Sequence, residues 1–209
     1  MKKNTWYNHF KKASNEWYNF SPVITLYHGT NDDVLRRIFN DKMILPPSPE
    51  KIVDRVLNNF ELTRTEVPEY VWGSQVKMRE GMPYIFCSIN KQTAVNYARS
   101  MEYGGEIETM TTKAILEWAD ENRISLAHPK KNVPVVLTID LPWEKVKFWH
   151  GVEHLKNIVE KVQEDIDSNE HVSPSAKNTM LQNELEEINL EVMISEPIPI
   201  EFISKIETF

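Results

Sequence analysis

Three short segments, far apart in the chain, carry the side chains whose types and spacing could do chemistry. The first is the tetrapeptide Tyr27-His28-Gly29-Thr30; the second holds Phe86 and Tyr97, and the third holds Glu191. A glycine lets a ligand approach the backbone closely, and the neighbouring threonine could add a hydroxyl contact. Two aromatic rings could stack on a flat ligand, and a carboxylate could stabilise a positive charge that develops as a bond breaks.

Each segment also has an ordinary structural explanation. The tetrapeptide could be a strand end whose threonine caps a helix, and Phe86 and Tyr97 could belong to the core. Glu191 lies in a run in which alternation places it opposite Leu190 and Val192, so it could be a solvated strand carboxylate. Only the joint order of the segments favours a functional interpretation over these structural ones.

The elements that must position these residues alternate between strand-like and helix-like patterns. They predict one α+β domain over residues 1–209, with residues 1–20 forming an N-terminal helix packed on the core. Val34, Leu35, Ile38 and Phe39 predict the apolar face of a helix capped by the residues around Asn31. Residues 62–82 lack clear periodicity and are predicted to form a long loop.

Composition limits the classes of partner and compartment. The net charge is -7 and the pI is near 5.5, which weighs mildly against nucleic acid as the partner and favours a protein acceptor. Cys87 is the single cysteine, so no disulfide framework is expected. The N-terminus lacks the apolar stretch of a signal peptide, and no run is as long as a transmembrane helix. These features predict a cytoplasmic protein without a membrane partner.

In order and character, the three segments resemble those of the ADP-ribosyltransferases in the His-Tyr-Glu branch, which includes diphtheria toxin and poly(ADP-ribose) polymerases. The match is close around the second segment, where an aromatic residue lies at the end of a strand and the Ala-containing helix that follows carries Tyr97. The resemblance also extends to the run 133–140 and to the Pro-containing stretch 196–203. It implies a split pair of small β-sheets, mixed or antiparallel, flanked by helices, with NAD bound as a substrate in the cleft.

The resemblance implies a role for each residue of the set. His28 would orient the ribose, and Gly29 and Thr30 would hold the nicotinamide end. Phe86 and Tyr97 would stack on the nicotinamide ring, although the family usually has Tyr where this chain has Phe86. Glu191 would be catalytic, because cleavage of the nicotinamide–ribose bond passes through an oxocarbenium-like transition state that a carboxylate stabilises. The implied reaction transfers ADP-ribose to a macromolecular acceptor and releases nicotinamide, without a metal.

Several alternatives stay open from the sequence. The NAD-dependent RNA 2′-phosphotransferases share the fold and resemble the stretch 196–203, but they hold phosphate with several basic residues and none adjoins the tetrapeptide 27–30. A catalytically inactive copy that binds a nucleotide or a partner is a further alternative, which the Phe86 departure supports. The branch that modifies arginine is disfavoured, since it has Glu or Gln where this chain has Asn189. A toxin-like role, with an antitoxin or a regulator as partner, is compatible with the three segments.

A minor alternative is a zinc metallopeptidase. The stretch His150-Gly151-Val152-Glu153-His154 matches the H-x-x-E-H pattern, in which two histidines four residues apart bind one metal. Gly151 weakens a helix at that point, and patterns of five residues arise easily by chance. The chain has neither the Rossmann glycine motif nor the P-loop motif, so any NAD is bound in another way.

Overall fold

The computed structural model describes residues 23–79, 84–142 and 191–209, with a few scattered residues between 161 and 183. The predicted N-terminal helix lies outside the described residues. So do both histidines of the H-x-x-E-H pattern.

The described part of the chain interleaves strands and helices, as the alternating patterns predict. In chain order, the elements are β1 (Val23–Asn31), α1 (Asp32–Asp41), β2 (Met43–Ile44), α2 (Pro49–Asn59), α3 (Glu69–Arg79), β3 (Ile85–Ser88), α4 (Lys91–Ser100), α5 (Glu106–Glu121), β4 (Pro134–Pro142), β5 (Glu191–Ile194), β6 (Ile198–Pro199) and β7 (Ile203–Thr208). A short 3-10 turn over Ile200–Phe202 joins β6 to β7.

The strands form two sheets, so the predicted α+β class is confirmed. The larger sheet has the strand order β5-β3-β1-β4-β7, and all its described pairs are antiparallel. The smaller sheet pairs β2 with β6. One face of the larger sheet covers an apolar core that includes Leu26, Leu137 and Ile139, each fully buried. The other face receives α4 through Ala94, Val95 and Ala98.

A second apolar cluster lies among helices α2, α3 and α5. Its fully buried side chains include Val53 and Leu57 of α2 and Ile115 of α5. Apolar residues of α2 recur at the spacing of one helix face. Pro49 lies in the first turn, where a backbone N–H would have no intrahelical acceptor, so the lack of an N–H in proline costs no hydrogen bond. This cluster packs α2 and α3 against α5.

Two predictions about these elements are wrong, and the predicted cap is confirmed. Helix α3 occupies the stretch predicted as a loop; Val71 packs in the helical cluster, a tertiary contact that the weak local periodicity does not reveal. Phe39 is 48% exposed and is not part of the buried face of α1. Strand β1 continues through the tetrapeptide to Asn31, which lies within the β4 ladder and also caps α1.

None of the described helices combines the length and the apolar character needed to cross a membrane.

Candidate functional site

Three neighbouring strands bring Tyr27, Ser88 and Glu191 into one row across the larger sheet. Tyr27 pairs with Ser88, and Ser88 pairs with Glu191. Directly opposed residues in an antiparallel sheet point to the same face, so the three side chains share a face. Val192 is buried on the opposite side while Glu191 is exposed, as the alternation predicts. The predicted catalytic carboxylate therefore lies on the face that also packs against α4.

The ladder between β1 and β3 ends at this row, and a cleft begins. In a continued ladder Gly29 would face Phe86, two residues further along each strand. Instead, the imidazole Nδ1 of His28 hydrogen-bonds the carbonyl oxygen of Phe86 at 2.7 Å. The imidazole thus ties β1 to the backbone of β3 at the point where the ladder between these strands ends. The opening lies between two of the segments that the sequence analysis groups together.

A small cavity of about 160 Å³ lies on the α4 side of this opening. It is lined by Gly29, Phe86, Tyr97 and Glu191, four of the six predicted site residues. Its volume corresponds to roughly five water molecules, which is enough for one ring but not for a nucleotide. Glu106, the first residue of α5, also lines it and was not predicted. The sheet edge and α4 therefore place a carboxylate and two aromatic rings around one space.

A larger cavity of about 520 Å³ adjoins the first and is bounded by β1, α1, α2 and the start of α5. His28 and Thr30 line this cavity and not the smaller one. Gly29, Phe86 and Tyr97 line both cavities, and so does Glu106. All six predicted residues therefore lie around two adjoining spaces, and the larger volume is within the range typical of small-molecule sites.

The protonation state of His28 follows from its surroundings. Burial lowers its pKa below the ordinary value of 6.5, and the bond to the Phe86 carbonyl opposes this only in part. A carbonyl oxygen can only accept, so Nδ1 carries the proton and the neutral ring presents Nε2 as an acceptor. An acceptor nitrogen at a cavity wall is suited to bind a hydroxyl group.

We expect His28 to make the protein less stable in mild acid. Because its folded pKa lies below its unfolded pKa, the unfolded chain binds more protons as pH falls through and below 6.5. The stability that the neutral ring contributes is present above pH 6.5 and is lost as pH approaches the folded pKa. Melting temperatures measured between about pH 7.5 and about pH 5.5 should fall more steeply for the parent than for His28→Gln. Parallel curves for the two proteins would contradict the assignment of a neutral imidazole.

The close packing of α4 against β1 requires a glycine at position 29. A Cβ at this position would lie 2.3 Å from the carbonyl oxygen of Ala94 and 3.0 Å from the backbone nitrogen of Ala98. Real Cβ atoms essentially never make a contact as short as 2.3 Å, so the missing side chain lets α4 approach β1. The glycine also lines both cavities, but its lack of a side chain is explained by the helix before any ligand is considered.

Folding also brings three cations to the cavity that holds His28, although none adjoins the tetrapeptide in sequence. Arg37 lies on α1, while Lys51 and Arg55 lie one turn apart on α2. The sequence does contain a signal for the pair on α2. Lys51 and Arg55 are four residues apart, so they lie on the same side of the helix, and both fall outside its apolar face. The lack of basic residues beside the tetrapeptide in sequence therefore does not extend to the folded structure.

Two of these cations share a buried carboxylate, Glu108, whose side chain is 7% exposed. Arg37 binds it with both terminal nitrogens at 2.8 and 2.9 Å, and Arg55 binds it through Nε at 2.9 Å and through Nη2. Burial alone would raise the pKa of Glu108, but the bonds and charges of the two arginines outweigh burial and hold the pKa below its ordinary value. Glu108 is therefore ionised and ties α1 and α2 to the start of α5. We call this set the guanidinium cluster.

The wall of the site also includes a thiol. Cys87 contributes to the wall of the smaller cavity, but burial raises the pKa of its thiol to about 12, so it is not an available nucleophile. Within the described ranges, no three His, Cys, Asp or Glu side chains are grouped closely enough to hold a metal ion. The zinc alternative depends on His150 and His154, which lie outside those ranges.

Comparison of the chain with protein-family models, with curated proteins and with solved structures finds no match. The likeness to ADP-ribosyltransferases is therefore a likeness of short segments, and it identifies no superfamily for this chain. A function has to be argued from the residues around the two cavities.

Proposed function

We propose that this protein transfers ADP-ribose from NAD to a macromolecular acceptor, releases nicotinamide, and hydrolyses NAD when no acceptor is present. The observation that carries the proposal is the smaller cavity, in which Glu191, Phe86 and Tyr97 line one ring-sized space. Segments that lie about a hundred residues apart in sequence converge there. A cavity lined by aromatic rings and by carboxylates suits a planar ring whose departure leaves a sugar cation.

The reaction assigns a distinct task to each group. The bond between the ribose C1′ and the nicotinamide nitrogen breaks, its electron pair stays on the nitrogen, and nicotinamide leaves as a neutral molecule. Glu191 places negative charge beside the cationic sugar and accepts a hydrogen bond from the ribose 2′-hydroxyl. His28 presents Nε2 to a ribose hydroxyl from the larger cavity. The acceptor then forms the new bond to C1′, and its proton passes to the solvent or to a nearby base.

Incubation of the protein with NAD labelled in its adenylate part, in whole-cell lysate, tests the proposal. We expect label in the protein fraction or the nucleic acid fraction, together with release of free nicotinamide. Label in protein is favoured because the chain is acidic. If no nicotinamide is released and no fraction is labelled, the enzymatic proposal is wrong and an inactive nucleotide-binding copy becomes the better description.

A second candidate is an NAD-dependent RNA 2′-phosphotransferase, and one observation favours it. Arg37, Lys51 and Arg55 line the cavity that holds His28, as an enzyme that binds a phosphate on RNA requires. A short oligoribonucleotide with one internal 2′-phosphate, incubated with NAD, distinguishes the two reactions. Loss of that phosphate without any label in protein would favour the second candidate.

The aromatic pair gives a prediction specific to this chain. Tyr97→Ala should weaken NAD binding by several-fold to about tenfold, because stacking contributes roughly 0.5–1.5 kcal/mol beyond burial of area. Tyr97→Phe should have a mild effect, since the planar ring is retained. Phe86→Tyr should leave binding nearly unchanged or improve activity. NAD affinity and melting temperature are measured on the same three variants.

The alternative explanation, that both rings serve only the core, predicts a different pattern. Phe86→Tyr would then bury a hydroxyl without a partner and lower stability. Tyr97→Ala would lower the melting temperature as much as it lowers activity. If both quantities fall together, and NAD does not raise the melting temperature of the parent, the aromatic walls do not bind nicotinamide.

A further inference from the structure

The guanidinium cluster has one more positive than negative charge. Arg37 and Arg55 share Glu108, and both bind its Oε1 oxygen. The backbone N–H of Gly105 also donates to the Oε2 oxygen of Glu108 at 2.8 Å, so both carboxylate oxygens are occupied. A buried carboxylate whose oxygens are all engaged presents little negative charge to the cavity. The two guanidinium groups are therefore held in place, and the cluster keeps a net positive charge.

The surplus positive charge lies on α2. Arg37 is balanced further by Asp33, at 3.3 Å, and by the nearby charge of Asp41. Arg55 binds Glu108 through Nε and Nη2, which leaves its Nη1 group without a partner among the described residues. Lys51, one turn earlier on the same helix, forms no ion pair within the described part of the chain. These two cations face the larger cavity with the least compensation.

The start of α2 adds to this positive end. Ser48 precedes the helix and lines the cavity, and its side chain makes no capping bond. The first turn of a helix exposes N–H groups and the positive end of the helix dipole. By contrast, Glu191 lines only the smaller cavity, and Glu106 lies where the two cavities adjoin. The two cavities together therefore have an acidic end near Glu191 and a basic end near Lys51 and Arg55.

We propose that this basic end binds the diphosphate of a dinucleotide through Arg55 and Lys51, with Glu108 as the residue that positions Arg55. The inference rests on the proposed function, because it assigns the direction in which NAD lies. The cationic nicotinamide ring occupies the acidic smaller cavity, its ribose lies where the two cavities adjoin, and the negatively charged diphosphate occupies the basic end of the larger one. Guanidinium and ammonium groups provide charge-assisted hydrogen bonds to phosphate oxygens.

The affinity for ADP-ribose, measured by calorimetry, tests the site independently of any transfer reaction. ADP-ribose keeps the diphosphate and lacks nicotinamide. We expect Arg55→Gln to weaken its binding about tenfold, the usual effect of one charge-assisted hydrogen bond, and Lys51→Gln to weaken it by about threefold. Binding of nicotinamide alone should not change in either variant. Lys51→Gln removes no hydrogen bond of the described structure, so it reports on the ligand even where Arg55→Gln lowers stability.

Arg36→Gln is the matched control. Arg36 neighbours Arg37 on α1, carries the same charge and has a side chain that is 69% exposed, but it does not line the cavity. Its substitution should leave ADP-ribose affinity unchanged. The inference is wrong if the parent does not bind ADP-ribose, if both α2 variants bind it as tightly as the parent, or if Arg36→Gln loses as much as they do.

Two further outcomes separate this inference from the proposed function. If ADP-ribose binds in an Arg55-dependent manner but no nicotinamide is ever released, the diphosphate site is supported and the proposed transfer reaction is wrong. If transfer is observed and Arg55→Gln leaves the KM for NAD unchanged, the transfer reaction is supported and the diphosphate site is wrong. Phosphate on an RNA acceptor is the other source of the same chemistry. If Arg55→Gln weakens binding of a 2′-phosphorylated oligoribonucleotide and not of ADP-ribose, the dinucleotide assignment is overturned.

Discussion

Glu191→Gln should abolish ADP-ribosyl transfer while leaving NAD binding nearly unchanged. The substitution keeps the size and the hydrogen-bonding oxygen of the side chain but removes its negative charge. That charge matters mainly in the transition state, when the ribose becomes cationic, so the loss should appear in kcat. Removal of one preorganised electrostatic contact at a reacting centre typically lowers the rate by about a hundredfold to a thousandfold. Nicotinamide release and NAD affinity are measured separately.

Glu201→Gln provides the comparison for Glu191→Gln. Glu201 is an exposed carboxylate in the turn between β6 and β7, and it lines neither cavity. Its replacement changes net charge by the same amount and should leave the rate unaffected. Glu191 is itself exposed, at the first residue of β5, so the melting temperature of its variant should match that of the parent. Equal turnover by Glu191→Gln and the parent would remove this residue from the site.

The local elements of the site could be predicted because local signals determine them. Helix α4 begins after Asn90, whose side chain accepts hydrogen bonds from the Gln92 and Thr93 backbone, and the predicted helix that carries Tyr97 is confirmed. Strict alternation in β5 predicts the face on which Glu191 lies, and the structure confirms it. Capping residues and a period of two act within a few positions of the chain, so a single sequence reveals them.

The remaining features depend on contacts between distant segments. Glu108 looks like one more acidic residue at the start of a helix, and only the fold shows that Arg37 and Arg55 meet on it. The role of Gly29 in the packing of α4 depends on residues more than sixty positions away. The end of the β1–β3 ladder, where the cleft opens, depends on register and on the His28 bond to Phe86. Periodicity and capping signals carry no information about such contacts.

Gly29→Ala should destabilise the protein severely and abolish NAD binding with it. The new Cβ would lie 2.3 Å from the carbonyl oxygen of Ala94, which is helix backbone and cannot turn aside as a flexible side chain can. The clash can be relieved only if the whole of α4 moves away from β1. Overpacking of a close-packed contact usually costs about 1–3 kcal/mol, and a clash with backbone belongs at or above the upper end. The free energy of unfolding is measured by denaturant titration.

The displacement of α4 also explains why binding should be lost together with stability. Tyr97 lies on that helix and lines both cavities, so an outward shift of α4 moves one aromatic wall away from Phe86. Gly105→Ala is the matched control, because a Cβ there would meet only an oxygen of Glu108, at an ordinary 3.8 Å. That variant should lose at most about 1 kcal/mol, the usual effect of alanine at an N-cap. If Gly29→Ala instead keeps the stability of the parent and loses only NAD affinity, the glycine serves the ligand directly, and the close approach of α4 to β1 is not the reason for it.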